Sequence, residues 1–266
     1  MVRITCAAAA ACAAAAIVPA AAGADIVEYP KVQSATPLGR AMSSDPGLVR
    51  RATFSALPPS SKPAAVSTTR LAHFPRTGRS FAILSTGNAR LADDKNTSDS
   101  SGSESRGPSI RGGRDVVMMR LNLRVPRGAN CLSFNFRFLS EEYPEFVGDV
   151  YNDAFIAELD QSTWKAGPKE DPRIDSPRNF AVDRAGNPIR INRTGVFTMR
   201  RSYARGTTYD GATRVLRAST PVTPGRHRLY LSIFDQGDRI YDSAVFLDDL
   251  RANRRRPCRS GLAVAR

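Results

Sequence analysis

Histidine is almost absent from this chain of 266 residues, which contains only His73 and His227. Zinc centres and most nucleophilic triads use imidazole as ligand or base, so both kinds of site are disfavoured. No glycine-rich phosphate-binding loop is present either. The hydrophobic content of 41% is nevertheless sufficient for a packed core, and we therefore expect a folded protein.

Long apolar runs are also lacking, apart from one at the N-terminus. Arg3 precedes an alanine-rich run from Cys6 to Ala22, and Ala22-Gly23-Ala24 has the small-x-small pattern of a cleavage site. This pattern predicts a signal peptide at 1–24, cleaved before Asp25, and then a short leader at 25–39. A retained N-terminal membrane anchor is the alternative. We expect an exported protein with no transmembrane segment after cleavage.

Cysteine is scarce, with four residues, of which Cys6 and Cys12 leave with the signal peptide. An exported chain meets an oxidising environment, so Cys131 and Cys258 are predicted to form a disulfide. Two free thiols are the alternative.

Acidic residues are outnumbered: 39 Lys and Arg against 25 Asp and Glu give a formal net charge of +14. Such a charge attracts polyanions, and arginine favours bidentate contacts with carboxylates and phosphates. A cell-surface or extracellular polymer such as an anionic glycan is therefore the predicted partner. Solvated surface charge without a partner is the alternative. No motif for reading nucleic acid is present, and no specific nucleic-acid partner is predicted.

Period-two alternation of apolar and polar residues is the main structural signal. It is clearest from Leu132 to Phe138 and recurs from Leu229 to Ile233. Many short strands joined by Gly, Pro and Asp loops predict a single all-β domain at 40–252, a β-sandwich of jelly-roll type. A short helical turn is predicted between Met42 and Thr53, and a loose basic tail at 253–266.

Two segments are dense in carboxylates beside strand residues: FRFLSEEYPEFVGDVYNDAF at 136–155 and FDQGDRIYDSAVFLD at 234–248. Together with ILSTGNA at 83–89, they resemble the signature segments of the choice-of-anchor L domain family, and the resemblance spans about residues 40 to 252. It implies a secreted domain of bacterial cell surfaces. No sorting motif or long apolar segment follows Asp248. Free secretion or ionic retention is therefore expected rather than covalent anchoring.

The same two segments supply a candidate metal site. Calcium binds six to eight oxygens from carboxylates, amides and carbonyls. We predict calcium ligands among the acidic and amide residues at the ends of these strands: Glu141, Glu142, Asn152, Asp153, Asp235, Asp238 and Asp242. The alternative is that these acids cap loops, accept backbone N–H bonds, or pair with Arg137, Arg239 and other arginines. Asp248 is a separate, weaker calcium candidate.

The predicted function is a secreted binding or adhesion module without catalysis. The alternative is a polysaccharide-active enzyme, or a carbohydrate-binding module, that uses the same carboxylates. A glycosidase needs two acids at a defined separation, which sequence does not supply. The lone Trp164 either stacks on sugar or packs over an edge of the sandwich.

Overall fold

The computed structural model describes residues 26–28, 35–59, 62–97, 107–191 and 198–265. The predicted signal peptide at 1–24 lies outside these described residues. The strands and the α-helix follow the chain in this order: β1 (Ile26–Glu28), α1 (Thr36–Ala41), β2 (Val49–Ala56), β3 (Ala64–Ser67), β4 (Phe81–Ser85), β5 (Arg114–Val125), β6 (Cys131–Ser140), β7 (Ala154–Leu159), β8 (Lys165–Ala166), β9 (Ile174–Asp175), β10 (Ile189–Arg190), β11 (Gly211–Ala212), β12 (Leu216–Pro221), β13 (Gly225–Asp235), β14 (Ser243–Asn253) and β15 (Gly261–Val264). Two short 3-10 helices lie at Ala89–Asp93 and Arg201–Tyr203.

Two antiparallel sheets form the molecule. The larger has the order β1-β3-β4-β14-β6-β12-β15, with β11 paired to β6, and the smaller has the order β10-β7-β13-β5-β2. A separate hairpin pairs β8 with β9. The predicted all-β sandwich is confirmed.

The core lies between the two sheets. Alternate residues of each strand point to the same face, so Phe134 and Phe136 of β6 both reach the facing sheet. There they meet Phe155 of β7 at ring-centroid distances of 6.3 and 5.0 Å. The same cluster contains Met119 and Leu231 of the smaller sheet. The alternation seen in the sequence therefore marks the buried faces correctly.

Trp164 covers part of the outer face of the smaller sheet. Its ring is fully buried and stacks on Phe234 with centroids 4.1 Å apart. Its indole N–H donates to the Ser232 hydroxyl at 3.1 Å. A ring enclosed in this way packs against protein, and the sugar-stacking alternative for Trp164 is wrong.

Sheet pairing continues beyond the limits expected for the domain. Ile26–Glu28, in the expected leader, pairs with β3, and Gly261–Val264, in the expected loose tail, pairs with β12. The predicted disulfide between Cys131 and Cys258 is present, with a Cα–Cα distance of 5.6 Å, and it ties the tail to β6.

The helical turn expected between Met42 and Thr53 is limited to a single turn after Asp45, where the Leu48 N–H donates to the Asp45 carbonyl at 3.1 Å. The helix is α1, at Thr36–Ala41, and the chain is extended from Val49 onwards. Because Ala52 and Phe54 alternate with exposed or half-buried neighbours and are buried themselves, strand periodicity outweighs the Asp45-Pro46 start signal.

A buried acidic cluster as the candidate functional site

The larger sheet brings Glu141 and Asp242 together at one rim of the sandwich. Glu141 follows the last residue of β6 and Asp242 precedes the first residue of β14, where Ser140 lies opposite Ser243. The Glu141 N–H donates to the Asp242 carbonyl, and the Asp242 N–H donates to Oε2 of Glu141, both at 3.0 Å. Strand register therefore sets this pair.

The smaller sheet brings Asp153 and Asp235 together at the same rim. Asp153 directly precedes β7 and Asp235 ends β13, where Phe234 lies opposite Ala154. The carboxyls of Asp153 and Asp235 contact one another. A second pair of acids thus lies at the ends of two neighbouring strands.

Ser243 links the two pairs across the sandwich. Its hydroxyl donates to Oδ2 of Asp153 at 2.6 Å, although Ser243 belongs to the larger sheet and Asp153 to the smaller. Oε2 of Glu142 lies 3.5 Å from the Asp153 amide nitrogen. Five carboxyl groups, each only 1–6% exposed, make up what we call the acidic cluster: Glu141, Glu142, Asp153, Asp235 and Asp242.

Burial raises the pKa of three members of this cluster. Desolvation is the largest cause for Glu142, Asp153 and Asp235. The charge of Asp153 raises the pKa of both Glu142 and Asp235 further, whereas the Ser243 hydrogen bond partly offsets the rise for Asp153. The cluster therefore favours a bound proton or another source of positive charge.

Hydrogen-bond donors do not satisfy this cluster fully. Among the described residues, no donor of normal geometry reaches Oδ1 of Asp153 or either carboxyl oxygen of Asp235. The nearby Thr86 hydroxyl gives Asp235 only a minor stabilising interaction. Buried carboxyl oxygens in native proteins are normally hydrogen-bonded or bound to a cation, so these three atoms are exceptional.

The two arginines expected as partners of the acids bind elsewhere. Arg137 donates to the carbonyls of Ala72 and Tyr203, each at 2.7 Å. Arg239 pairs with Asp115 at 2.9 Å. Within the described part of the chain, Glu142, Asp153 and Asp235 take part in no ion pair. Among the described residues, Arg137 therefore bonds to backbone carbonyls, and the choice between a calcium site and acids that cap loops or pair with arginines stays open.

Asp238 and Asn152 lie beside the cluster. The Asp238 carboxylate accepts the Ile240 N–H at 3.2 Å in a half-buried turn, although its charge still raises the pKa of Glu142 and Asp153. The Asn152 side-chain amide donates to the Pro172 carbonyl at 3.3 Å. Within the described ranges, no three His, Cys, Asp or Glu residues are arranged as a formed metal centre. The seven-residue calcium site thus remains a prediction.

An aromatic contact ties together the two loops that carry the acids. The ring of Phe146 lies 4.8 Å from that of Tyr241 and 5.4 Å from that of Tyr151, measured between centroids. Phe146 belongs to the loop after β6 and Tyr241 to the loop before β14. These half-buried rings therefore pack the two loops against each other at the rim.

Thr86 and Gly87 are parts of the site that sequence reasoning did not single out. The Thr86 N–H donates to the Ser243 carbonyl and the Ser243 N–H donates to the Thr86 hydroxyl, both at 2.9 Å. A Cβ at position 87 would lie 2.2 Å from Oδ2 of Asp242, so any larger residue there would displace the Asp242 carboxylate. The segment 83–89 had been recognised as a motif, and its role is to pack against the start of β14.

Asp248, the separate calcium candidate, is held by protein donors. Its carboxylate accepts the N–H groups of Arg76 and Thr77 and the hydroxyl of Thr77. Desolvation raises its pKa to about 6, and these hydrogen bonds oppose the rise. Asp248 therefore holds the loop that contains Arg76 and Thr77 against β14.

All three signature segments therefore meet at one rim: 83–89 supplies Thr86, 136–155 supplies Glu142 and Asp153, and 234–248 supplies Asp235. The sequence profile of the choice-of-anchor L domain family matches residues 60–250, which is most of the chain. The chain belongs to this family. The resemblance inferred from the three segments is confirmed. Membership of this family implies an extracellular protein of the bacterial surface.

Two solved structures resemble this choice-of-anchor L domain distantly. One is TmCBM61 in complex with beta-1,4-galactotriose, with 12% identity, a TM-score of 0.29, and coverage of 77% of this chain and 88% of that chain. The other is the enzymatically active domain of bacteriophage CBA120 tailspike protein 4, with 8% identity, a TM-score of 0.26, and coverage of 85% and 22%. At these TM-scores neither likeness supports an inference about ligand or activity.

Comparison with curated proteins gave no match. None of the helices in the described part of the chain combines the length and the apolar character needed to cross a bilayer.

Proposed function

We propose that this choice-of-anchor L domain is an exported, non-catalytic binding module of the bacterial surface, and that a calcium ion at the acidic cluster stabilises its loop rim. The observation that carries the calcium proposal is Asp235. Its carboxyl group is buried against that of Asp153, and among the described residues neither of its oxygens receives a hydrogen bond of normal geometry.

Two adjacent buried carboxyls require compensation, because an uncompensated buried charge costs several kcal/mol. A shared proton provides it at low pH. At neutral pH a hard cation provides it better, since calcium accepts carboxylates together with carbonyl oxygens and water in a flexible geometry. Asp153 and Asp235 would hold the ion, and Asp242, whose charge raises the pKa of both, and Glu142 would be the further carboxylates. Magnesium fits less well because it demands near-ideal octahedral geometry.

Calcium at this position would join elements that are distant in sequence. Asp153 is the last residue of the loop that contains Phe146, and Asp235 directly precedes the loop that contains Tyr241. The rings of Phe146 and Tyr241 are in contact. An ion between Asp153 and Asp235 would stabilise the rim in the folded state alone, and binding to the folded state raises the melting temperature by mass action.

The test is the melting temperature of the purified mature chain in excess chelator and in calcium. At a calcium concentration about 100 times the dissociation constant, linkage gives about 2.7 kcal/mol, or a rise of roughly 5–10 °C for a domain of this size. Asp235→Asn should abolish the rise. It should also melt no lower than the wild type in chelator, because it removes a buried charge.

Asp249→Asn is the matched control. Asp249 is another buried aspartate, but it pairs with Arg217 at 3.3 Å and with Arg251. Its substitution should lower the melting temperature in both conditions and leave the calcium-dependent rise unchanged. An unchanged wild-type melting temperature across the calcium titration would refute the metal, as would a full calcium response in Asp235→Asn.

Burial supports the non-catalytic part of the proposal. A glycosidase acid must contact the glycosidic oxygen, whereas Glu142, Asp153 and Asp235 are each 1% exposed. A screen of the protein on cell-wall and plant polysaccharides should release no reducing ends. Release that disappears in Glu142→Gln would establish the enzyme instead.

A further inference from the structure

The outer face of the smaller sheet carries a second concentration of like charge. Alternate residues of β5 point outwards, as do the matching residues of β13 and β2. Beyond the part covered by Trp164, this surface is half-buried or exposed. Its cationic side chains make up what we call the arginine face: Arg50, Arg51, Arg120, Arg124, Arg226 and Arg228.

Strand register places these arginines in rows across the sheet. Arg124 lies directly opposite Arg226. In the next row, Asn122 lies between Arg51 and Arg228. Like charges directly opposite one another on neighbouring strands destabilise a sheet. The Arg124–Arg226 pair therefore costs folding stability, and nothing in the packing of the sheet requires it.

The ion pairs of the described residues leave out the arginine face. Among the described residues, none of the six forms an ion pair, and Nε of Arg120 is buried without a hydrogen-bond partner. The carboxylates that border the face are engaged with other groups. Asp160 accepts from His227 Nδ1 at 3.0 Å, and Glu158 accepts the Thr163 N–H at 2.9 Å. The face thus carries six guanidinium groups, and Asp160 is the carboxylate that lines a surface depression together with four of them.

We propose that the arginine face is the ligand-binding surface of the module and that its ligand is an acidic polysaccharide bearing carboxylates. Arg50, Arg124, Arg226 and Arg228 line an open depression of about 680 Å³. Guanidinium groups bind carboxylates through two parallel hydrogen bonds. Asn122 and Thr53 lie between the arginines and supply partners for sugar hydroxyls.

The side chains of the face favour a polysaccharide over a nucleic acid. Single-stranded nucleic acids are held by aromatic side chains on which successive bases stack. The strand positions of the face hold one aromatic residue, Tyr230, and it is half-buried against the cluster that contains Trp164. This inference depends on the proposed function only in taking the domain to be a binding module, and it does not depend on calcium.

The experiment measures binding of hyaluronate, a carboxylated polysaccharide, by titration calorimetry in chelator at a temperature where the domain is folded. Arg124→Thr/Arg226→Thr should weaken binding about tenfold or more, because two charge-assisted contacts are lost. The matched control is Arg255→Thr/Arg256→Thr, which removes the same charge from exposed positions near the disulfide. It should change the affinity less than about twofold. Neutral dextran should not bind.

A stability measurement separates loss of binding from loss of fold. Arg226→Thr alone relieves the like-charge pair, so its melting temperature should equal or exceed that of the wild type while its affinity for hyaluronate falls. Three results would overturn the proposal: no binding of hyaluronate by the folded wild type, equal losses in the two double variants, or tighter binding of single-stranded DNA that depends on the same two arginines. Because chelator is present throughout, a failure of the calcium proposal would appear only in the thermal-shift experiment.

Discussion

The acidic cluster and the arginine face both concentrate one sign of charge, but they do so in different surroundings. The carboxyls of the cluster are nearly inaccessible to water at the loop rim, whereas Arg124, Arg226 and Arg228 are exposed on the sheet. Water screens the exposed charges, so their repulsion costs a fraction of a kcal/mol to about 1 kcal/mol per pair. Water cannot screen the buried charges, and they require a proton or a cation. Buried like charge therefore controls stability, while exposed like charge is available for a partner.

The largest expected effect is that of pH on the free energy of unfolding, to which the acidic cluster contributes. Glu142, Asp153 and Asp235 have raised pKa values in the folded protein, so the folded state binds protons more tightly than the unfolded chain. These groups contribute most to the free energy of unfolding below about pH 4, which is their usual pKa in an unfolded chain. The contribution is lost as the pH rises through their higher pKa in the folded protein. In chelator, the free energy of unfolding should fall from pH 5 to pH 7.5 by urea denaturation.

Asp235→Asn sharpens this test because, among the described residues, neither oxygen of the Asp235 carboxylate receives a hydrogen bond of normal geometry. The decline in stability with pH should become shallower in this variant. An equally steep decline would place its origin outside the cluster.

Ser243→Ala tests the one strong hydrogen bond that crosses the sandwich at the cluster. The hydroxyl donates to the Asp153 carboxylate at 2.6 Å, and hydrogen bonds to charged groups contribute about 1.5–3 kcal/mol. Unfolding in chelator should show a loss of that size. Calcium should recover part of it by neutralising Asp153. A loss below about 0.5 kcal/mol in chelator would contradict the role assigned to this bond.

Gly87→Ala tests how closely the third signature segment packs against the acids. A methyl group there would meet the Asp242 carboxylate at 2.2 Å, so the carboxylate must move. Overpacking of this kind costs about 1–3 kcal/mol. Gly186→Ala offers a comparison, because a Cβ at position 186 meets no atom within 4 Å, although its positive φ of 84° adds backbone strain. The two variants should differ in calcium response, with only Gly87→Ala reduced.

Arg124→Glu should have the smallest effect on stability, and it should stabilise the folded protein rather than destabilise it. It replaces a repulsive pair with an attractive one opposite Arg226, which contributes about 0.2–1 kcal/mol of stabilisation. The melting temperature should rise slightly while binding of the acidic polysaccharide is lost. A clear fall in melting temperature would show that Arg124 has a structural role.

Sequence reasoning located the acids because Glu142, Asp153 and Asp235 lie at strand ends, and the period-two pattern indicates where strands such as β6 run. It also placed the disulfide, since Cys131 and Cys258 are the cysteines left after the expected cleavage. It could not show that Arg137 and Arg239 bind elsewhere, because partners of long side chains depend on tertiary packing. Nor could it reveal the arginine face, which exists only through the register of β5, β13 and β2.

Calcium titration calorimetry of the mature chain near neutral pH, in buffers of different ionisation enthalpy, tests the central claim most directly. The account predicts one calcium per chain and a binding heat that depends on the buffer, because a cation displaces protons from carboxyls whose pKa is raised. Both signals should be absent in Asp235→Asn. A wild-type titration with no binding heat in either buffer would contradict the claim that the buried carboxyls form a cation site.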